Sequence, residues 1–331
     1  MSTMFETRNL SKKFVKTLDT AAKIAQRFGA DIREEVVHAV DGVNLTIKRG
    51  EVVGLVGESG CGKSTFGRMV AGILPPTSGQ MFYRGQDVTE LDKETVLESM
   101  LQVQMIFQDP FASLNPRMRV EEIISEAPVV HGLIKPSERA SYAEEVMLRV
   151  GLDPDYRKRY PHQFSGGQRQ RIGIARALAV NPDFLVCDEA IAALDVSIQA
   201  QVINLFMDLR KDLDLTYLFI SHDLSVVEHI SDRVVIMYLG RVVEIASTAD
   251  IFDSPNHPYT TALLNEVPTL DSRGIDYHPI SGEIPSPLDP PPGCHFHPRC
   301  PHASERCQIE APELIEISPD RFSACHLNTS E

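Results

Sequence analysis

The 331-residue sequence predicts an α/β fold: a mixed sheet core, a helical subdomain and a small Cys-containing C-terminal extension. Three observations carry that expectation. Residues 52–56 form an apolar run that ends in a glycine-rich turn and passes into a helical pattern at 63–72. Residues 184–187 and 217–220 are short, continuously apolar runs, each preceded by a helical segment, as parallel strands covered on both faces require. Four of the six cysteines, Cys294, Cys300, Cys307 and Cys325, gather near the end of the chain behind a proline-rich stretch.

In chain order, residues 52–56 read as a strand because five apolar residues stop abruptly at Gly57, and 63–72 as the helix that follows. Residues 121–150 read as helical and supply a separate lobe. Residues 234–237 and 241–245 flank Leu239-Gly240 and read as an antiparallel hairpin at a sheet edge. Pro285, Pro287, Pro290, Pro291 and Pro292 can continue neither helix nor strand and mark a boundary before the cysteine-bearing tail. No internal repeat is evident.

Composition narrows the function. Lys and Arg total 32 against 46 Asp and Glu, a net charge of −14, and that sign repels phosphate backbones, which disfavours sequence-independent nucleic-acid binding. At 43% hydrophobic and 24% charged the chain has the make-up of a folded globular protein. No stretch approaches the roughly 18 consecutive apolar residues a membrane span needs. The first ten residues carry Glu6 and Arg8 and lack the apolar core of a secretory signal, so the chain is expected in the cytoplasm, where clustered cysteines point to metal rather than disulfides.

Gly57-Glu58-Ser59-Gly60-Cys61-Gly62-Lys63-Ser64, followed by Thr65, fits G-x-x-x-x-G-K-[ST] between a strand and a helix, the setting of a phosphate-binding P-loop. The four fixed positions arise by chance about once in a hundred chains of this length, before that setting is demanded. Loop and helix N–H groups would cradle the phosphates, Lys63 would neutralise them, and Ser64 would hold Mg²⁺. Asp188 and Glu189 end the apolar run at 184–187, at the carboxyl edge where α/β sheets bind ligands. Asp188 suits Mg²⁺, and Glu189 suits a general base that polarises water. Ser165-Gly166-Gly167-Gln168 opens a helical segment and offers another set of N–H groups to an anion.

With these motifs in this order, the sequence closely resembles the ATP-binding subunits of ABC transporters. The resemblance implies an ABC ATP-binding domain over 1–260, with its helical subdomain at about 109–180, and a C-terminal extension over 261–331. It implies that Ser165–Gln168 caps the γ-phosphate held on another subunit. It also implies that Gln108 touches Mg²⁺ and communicates with a membrane subunit, and that His222 bridges the γ-phosphate and the base Glu189. Phe14 is the candidate for stacking on adenine, although residues 15–37 lengthen the usual spacing to the P-loop. Ala193-Leu194-Asp195 matches the loop that crosses the dimer interface. Before it, Ala190-Ile191-Ala192 replaces the family's usual Pro-Thr-Ser or Pro-Val-Ser; hydrolysis is expected to survive, with communication through that loop the property in question.

Residues 160–164, 195–202 and 287–294 look like the oligopeptide/dipeptide importer ATPases, nearer the F-type than the D-type subunit. That branch implies a heterodimer with a second homologous ATPase, two transmembrane permeases and a substrate-binding protein, at the cytoplasmic face of the plasma membrane. Relatives of similar sequence import oligosaccharides, nickel or glutathione, so cargo stays open. Four thiolates suit a [4Fe–4S] cluster or tetrahedral zinc; the resemblance favours the cluster, with zinc as the alternative and free thiols after that. Rival functions are a soluble ABC-type ATPase acting on DNA or ribosomes, and a redox or metal sensor governed by the tail. Cys61 and Cys187 are expected to be small residues, in the P-loop and in a buried strand, without chemistry.

Overall fold

The structure, a computed structural model, describes residues 2–16, 35–89, 101–109, 111–266 and 282–329. Its strands are β1 (Thr3–Lys16), β2 (Glu35–Lys48), β3 (Val52–Val56), β4 (Ser78–Tyr83), β5 (Gln86–Asp87), β6 (Val103–Ile106), β7 (Phe184–Asp188), β8 (Thr216–Ile220), β9 (Arg233–Tyr238), β10 (Arg241–Ser247), β11 (Ile315–Ser318) and β12 (Arg321–Ser323). They form two sheets. One runs β2-β1-β4-β5 and is antiparallel; the other runs β11-β12-β10-β9-β3-β8-β7-β6. In the larger sheet the five strands from β9 to β6 are mutually parallel, and β10, β12 and β11 add on antiparallel.

Every residue of β3, β7 and β8 is buried, which is why these strands read as unbroken apolar runs instead of alternating ones. The expected hairpin is present as β9 and β10, turning through Leu239 and Gly240, both at positive φ. The smaller sheet is absent from the sequence reading. Its long strands slip register, as where Asn9 turns left-handed between Thr7 and Leu10, and the slip interrupts the period of two that would betray them.

The helices are α1 (Lys63–Val70), α2 (Val120–Val130), α3 (Arg139–Arg149), α4 (Gly166–Leu178), α5 (Val196–Leu213), α6 (Leu224–Ile230), α7 (Thr248–Asp253), α8 (Pro258–Asn265) and α9 (Glu305–Ile309). The single helical run expected over 121–150 is two helices. His131 closes α2, and Gly132 at φ +70° reverses the chain before Pro136 begins the next turn. These helices and α4 share one core, in which Ile124, Val146, Met147, Ile172 and Ala175 are fully buried.

Past the prolines, β12 pairs with β10, placing Ser323 opposite Glu244, and the Ala324 N–H donates to the Val243 carbonyl at 2.8 Å. Phe296 buries itself among Tyr238, Tyr259 and His257. The C-terminal segment therefore completes an edge and a core of the same sheet that carries the phosphate loop.

Candidate functional site

The loop from β3 into α1 is shaped by glycine where nothing else fits. At Gly57, φ +155°, a Cβ would lie 2.1 Å from the Met237 carbonyl oxygen; at Gly62, φ +105°, it would lie 2.0 Å from that of Ala39. Only a residue without a Cβ passes these carbonyls, so the loop winds tightly there. Lys63 is buried, and its Nζ donates to the carbonyls of Gly57 at 2.6 Å and Glu58 at 2.9 Å. Ser59, Gly60, Gly62, Lys63, Ser64 and Thr65 line a cavity of about 250 Å³. Cys61 is buried below it, with Sγ 3.9 Å from Lys63 Nζ and its thiol pushed up by burial, so it packs and does not react. Cys187, fully buried in β7, is likewise pushed up by burial.

The parallel register brings the chemistry together. Adjacent strands β6, β7 and β8 end at one edge, and Gln108, Asp188, Glu189 and His222 lie at or just after those ends. Gln108 Nε2 donates to Glu189 Oε2 at 2.6 Å, and His222 Nδ1 lies 3.3 Å from Glu189 Oε1. Gln108 and Glu189 both line the cavity beside Lys63. Glu189 is left-handed, φ +47°, and donates its N–H to the Ile220 carbonyl at 2.9 Å, so a strained turn points the carboxylate out of the strand. Ser64 Oγ donates to Asp188 Oδ1 at 2.8 Å. Burial raises the Asp188 carboxyl above its ordinary value while the Ser64 hydrogen bond pulls it down. Ser64, Asp188 and Gln108 offer the hard oxygen donors that Mg²⁺ takes, with room for water and phosphate.

Two expected nucleotide contacts lie apart from this cavity. Ser165–Gln168 forms a capped helix start: Ser165 Oγ accepts from the Gln168 N–H at 3.4 Å, and Gln168 Oε1 accepts from the Ser165 N–H at 3.0 Å. Ser165 and Gly166 are exposed, and none of the four residues lines the cavity. Phe14 is 43% exposed, sits opposite Val37 in the β1–β2 ladder, and does not line the cavity either, whereas Val37, His38, Leu239, Gly240 and Pro287 do. Most of residues 15–37, the stretch that lengthens the spacing, fall outside the described residues.

The replaced turn at Ala190-Ile191-Ala192 is well formed. Ala190 and Ile191 are buried, the Ala192 N–H donates to Glu189, and Gln199 Nε2 donates to the Ile191 carbonyl at 3.1 Å. Gln199 thus ties the turn to α5 without the usual proline.

Cys294, Cys300, Cys307 and Cys325 line a second cavity, of about 230 Å³. Burial pushes the Cys294 thiol up to about 11 and raises Cys300 and Cys325 as well. The expected iron–sulfur or zinc centre is not evident as a coordination site. Among the described residues no group of three or more His, Cys, Asp or Glu side chains is arranged to hold a metal ion. The neighbouring imidazoles are engaged otherwise, His297 Nδ1 lying 2.9 Å from the Cys294 carbonyl and His326 Nε2 2.9 Å from that of Glu310. The donor chemistry fits a thiophilic group, but the side-chain geometry does not fit a single ion.

Sequence reasoning missed Arg299, Tyr259 and Pro287 beside the phosphate loop, because each reaches it from more than 200 residues downstream with no motif to announce it.

Residues 40–192 match the family described as ABC transporter, and residues 243–307 match that described as oligopeptide/dipeptide transporter, C-terminal region. The chain is 50% identical over 329 residues to the oligopeptide transport ATP-binding protein AppF of Bacillus subtilis, covering 98% of this chain and 97% of that one. It is 47% identical over 298 residues to the dipeptide transport ATP-binding protein DppF of Haemophilus influenzae, covering 90% and 91%. Among solved structures it resembles the dimeric post-hydrolysis state of the ATP-binding cassette MJ0796 bound to ADP and Pi, at TM-score 0.62 and 27% identity, covering 74% of this chain and 99% of that one. It also resembles CbiO1 of Clostridium perfringens, at TM-score 0.63 and 25% identity, covering 77% and 92%.

Proposed function

Because the chain belongs to the ABC transporter ATP-binding subunits, in their oligopeptide/dipeptide branch, we propose that it energises peptide import by closing on a second ATPase chain around ATP. The chain is an ABC-type ATPase that takes ATP and Mg²⁺. In the proposed mechanism the loop N–H groups and Lys63 hold the β- and γ-phosphates, and Ser64, Asp188 and Gln108 would hold Mg²⁺, which would draw charge from the phosphates. Glu189 takes a proton from the attacking water, with Gln108 and His222 fixing its two oxygens from either side. His222 then faces the γ-phosphate. Ser165–Gln168 serves the nucleotide held by the other chain, and Phe14 flanks the base from the β1–β2 ladder.

The observation that carries this reading is the meeting of Gln108 and His222 on Glu189, beside the cavity under Lys63. The ATP-binding domain spans 1–260 with its helical subdomain at about 109–180, and 261–331 is the extension. The partners are a related but different ATPase, two permeases and, through them, a substrate-binding protein. The chain sits peripherally at the cytoplasmic face of the membrane; no helix among the described residues is long and apolar enough to cross it. Gentle solubilisation with a tag on this chain, followed by mass spectrometry, is expected to recover two multi-span proteins and one related ATPase. Recovery of soluble partners alone would overturn the transport assignment and leave the ATPase standing.

The cavity lined by Cys294, Cys300, Cys307 and Cys325 is read as the seat of a [4Fe–4S] cluster, supported by the gathering of four cysteines round a space of about 230 Å³. When bound it would staple the extension together. Iron and acid-labile sulfide after anaerobic purification test this; one equivalent of zinc without iron would sink it.

A further inference from the structure

The mechanism uses Lys63, Ser64 and the acidic pair, and gives no part to Glu58. Yet Glu58, the residue after Gly57 in the phosphate loop, is held at all of its polar points. Its N–H donates to Tyr259 Oη at 2.9 Å, and its carbonyl accepts from Lys63 Nζ at 2.9 Å. Its carboxylate is gripped by the Arg299 guanidinium, Nη1 to Oε2 at 2.8 Å and Nη2 to Oε1 at 2.9 Å. The pair is enclosed: the Arg299 side chain is 4% exposed and that of Glu58 15%.

Arg299 comes from the far end of the sequence. It ends the turn His297–Arg299, between Cys294 and Cys300, and its N–H donates to Phe296, the ring wedged among Tyr238, Tyr259 and His257. Stability is a weak reason for such a pair, since dehydrating two charges offsets most of their attraction and an apolar replacement often does as well. What a two-pronged guanidinium–carboxylate contact supplies is direction. Here the held residue presents the carbonyl on which the phosphate-binding ammonium rests.

We propose that Arg299 is a positioning residue of the ATP site: by clamping Glu58 it sets one of the two phosphate-loop carbonyls that hold Lys63, so the C-terminal extension completes the nucleotide site. Arg299 touches no nucleotide; it acts only through Glu58.

The test is steady-state ATP hydrolysis by the assembled transporter carrying Arg299→Gln, Glu58→Gln, both together, or Arg299→Lys, with thermal midpoints of each. Arg299→Gln and Glu58→Gln are each expected to raise KM for ATP roughly tenfold with kcat much less affected, and the double variant to be no worse than either single one. Arg299→Lys, which keeps the charge and loses the fork, is expected to recover part of the KM. A merely structural pair would lower the thermal midpoint and the active fraction at unchanged KM, and that result would overturn the proposal, as would single effects that multiply in the double variant. If Arg299→Gln fails to fold, Glu58→Gln and Arg299→Lys decide on the same KM reading.

Discussion

Two glycine-rich turns in this chain, 57–64 and 165–168, each deliver the N-terminus of a helix, and their surroundings could hardly differ more. Around the first stand Lys63, Ser64, Gln108 and Glu189, brought from the ends of three strands, β3, β6 and β7, to one cavity, with Asp188 bonded to Ser64 behind them. Around the second, Ser165 and Gly166 are exposed, and Ser165 and Gln168 cap each other. A helix N-terminus offers a partial positive charge in both places. What makes one of them a chemical site is the ring of carboxylates, ammonium and amide that other segments contribute. On the proposed function, a phosphate presented by another chain would complete the second turn.

The largest expected effect breaks the first region. Glu189→Gln is expected to lower phosphate release by roughly 10²–10⁴-fold while ATP binding persists, because the amide accepts no proton. Unchanged turnover in a complex whose other ATPase is silenced would remove Glu189 from its role. Gly166→Asp tests the second region, placing a carboxylate where a phosphate is to dock. Turnover of the complex should fall by about 10²-fold, the scale of losing one preorganised donor, while ATP affinity of this chain alone stays within about twofold. A matching loss of affinity in the isolated chain would show that the turn serves its own nucleotide.

Alanine separates the two regions by backbone strain. Gly62→Ala puts a Cβ against the Ala39 carbonyl at positive φ and is expected to lower stability by about 2 kcal/mol, read from chemical denaturation. At Gly166 the added Cβ meets only Leu194 Cδ2, at 3.7 Å, so Gly166→Ala should fold within about 0.5 kcal/mol of the parent.

The smallest effect is a pH dependence behind the first region. His257 starts α8, its Nδ1 accepting the Tyr259 N–H at 3.0 Å, and burial holds its pKa down at about 4. The unfolded chain takes up that proton near pH 6.5, so the contribution of His257 is full above that value and drains away as the pH falls toward 4. Between pH 6.5 and 5.5 the loss should approach about 1 kcal/mol, seen as a falling thermal midpoint. His257→Asn keeps an acceptor for Tyr259 and should flatten that part of the curve; a parent-like slope would assign the titration elsewhere.

Much of the first region is legible in the sequence because its parts are local. The P-loop is one contiguous turn, and Asp188 and Glu189 end an apolar run that can only be a buried strand. The hairpin at Leu239-Gly240 is equally plain, since both of its strands and its turn are consecutive. The smaller sheet is not legible, because register slips disrupt its alternation. The break in the helical run at 121–150 falls at Gly132, which takes the left-handed turn that ends a helix.

The sequence by itself determined the α/β nucleotide-binding fold and the phosphate loop, since those rest on residue type at short spacing. Only the tertiary structure decided that Gln108 donates to Glu189, that β12 extends the sheet carrying the phosphate loop, and that Arg299 reaches Glu58 across 241 positions. The physical reason is range. Propensity and periodicity act over a few residues, whereas strand order and the burial of a charge are set by the whole core, which no local stretch of the chain contains.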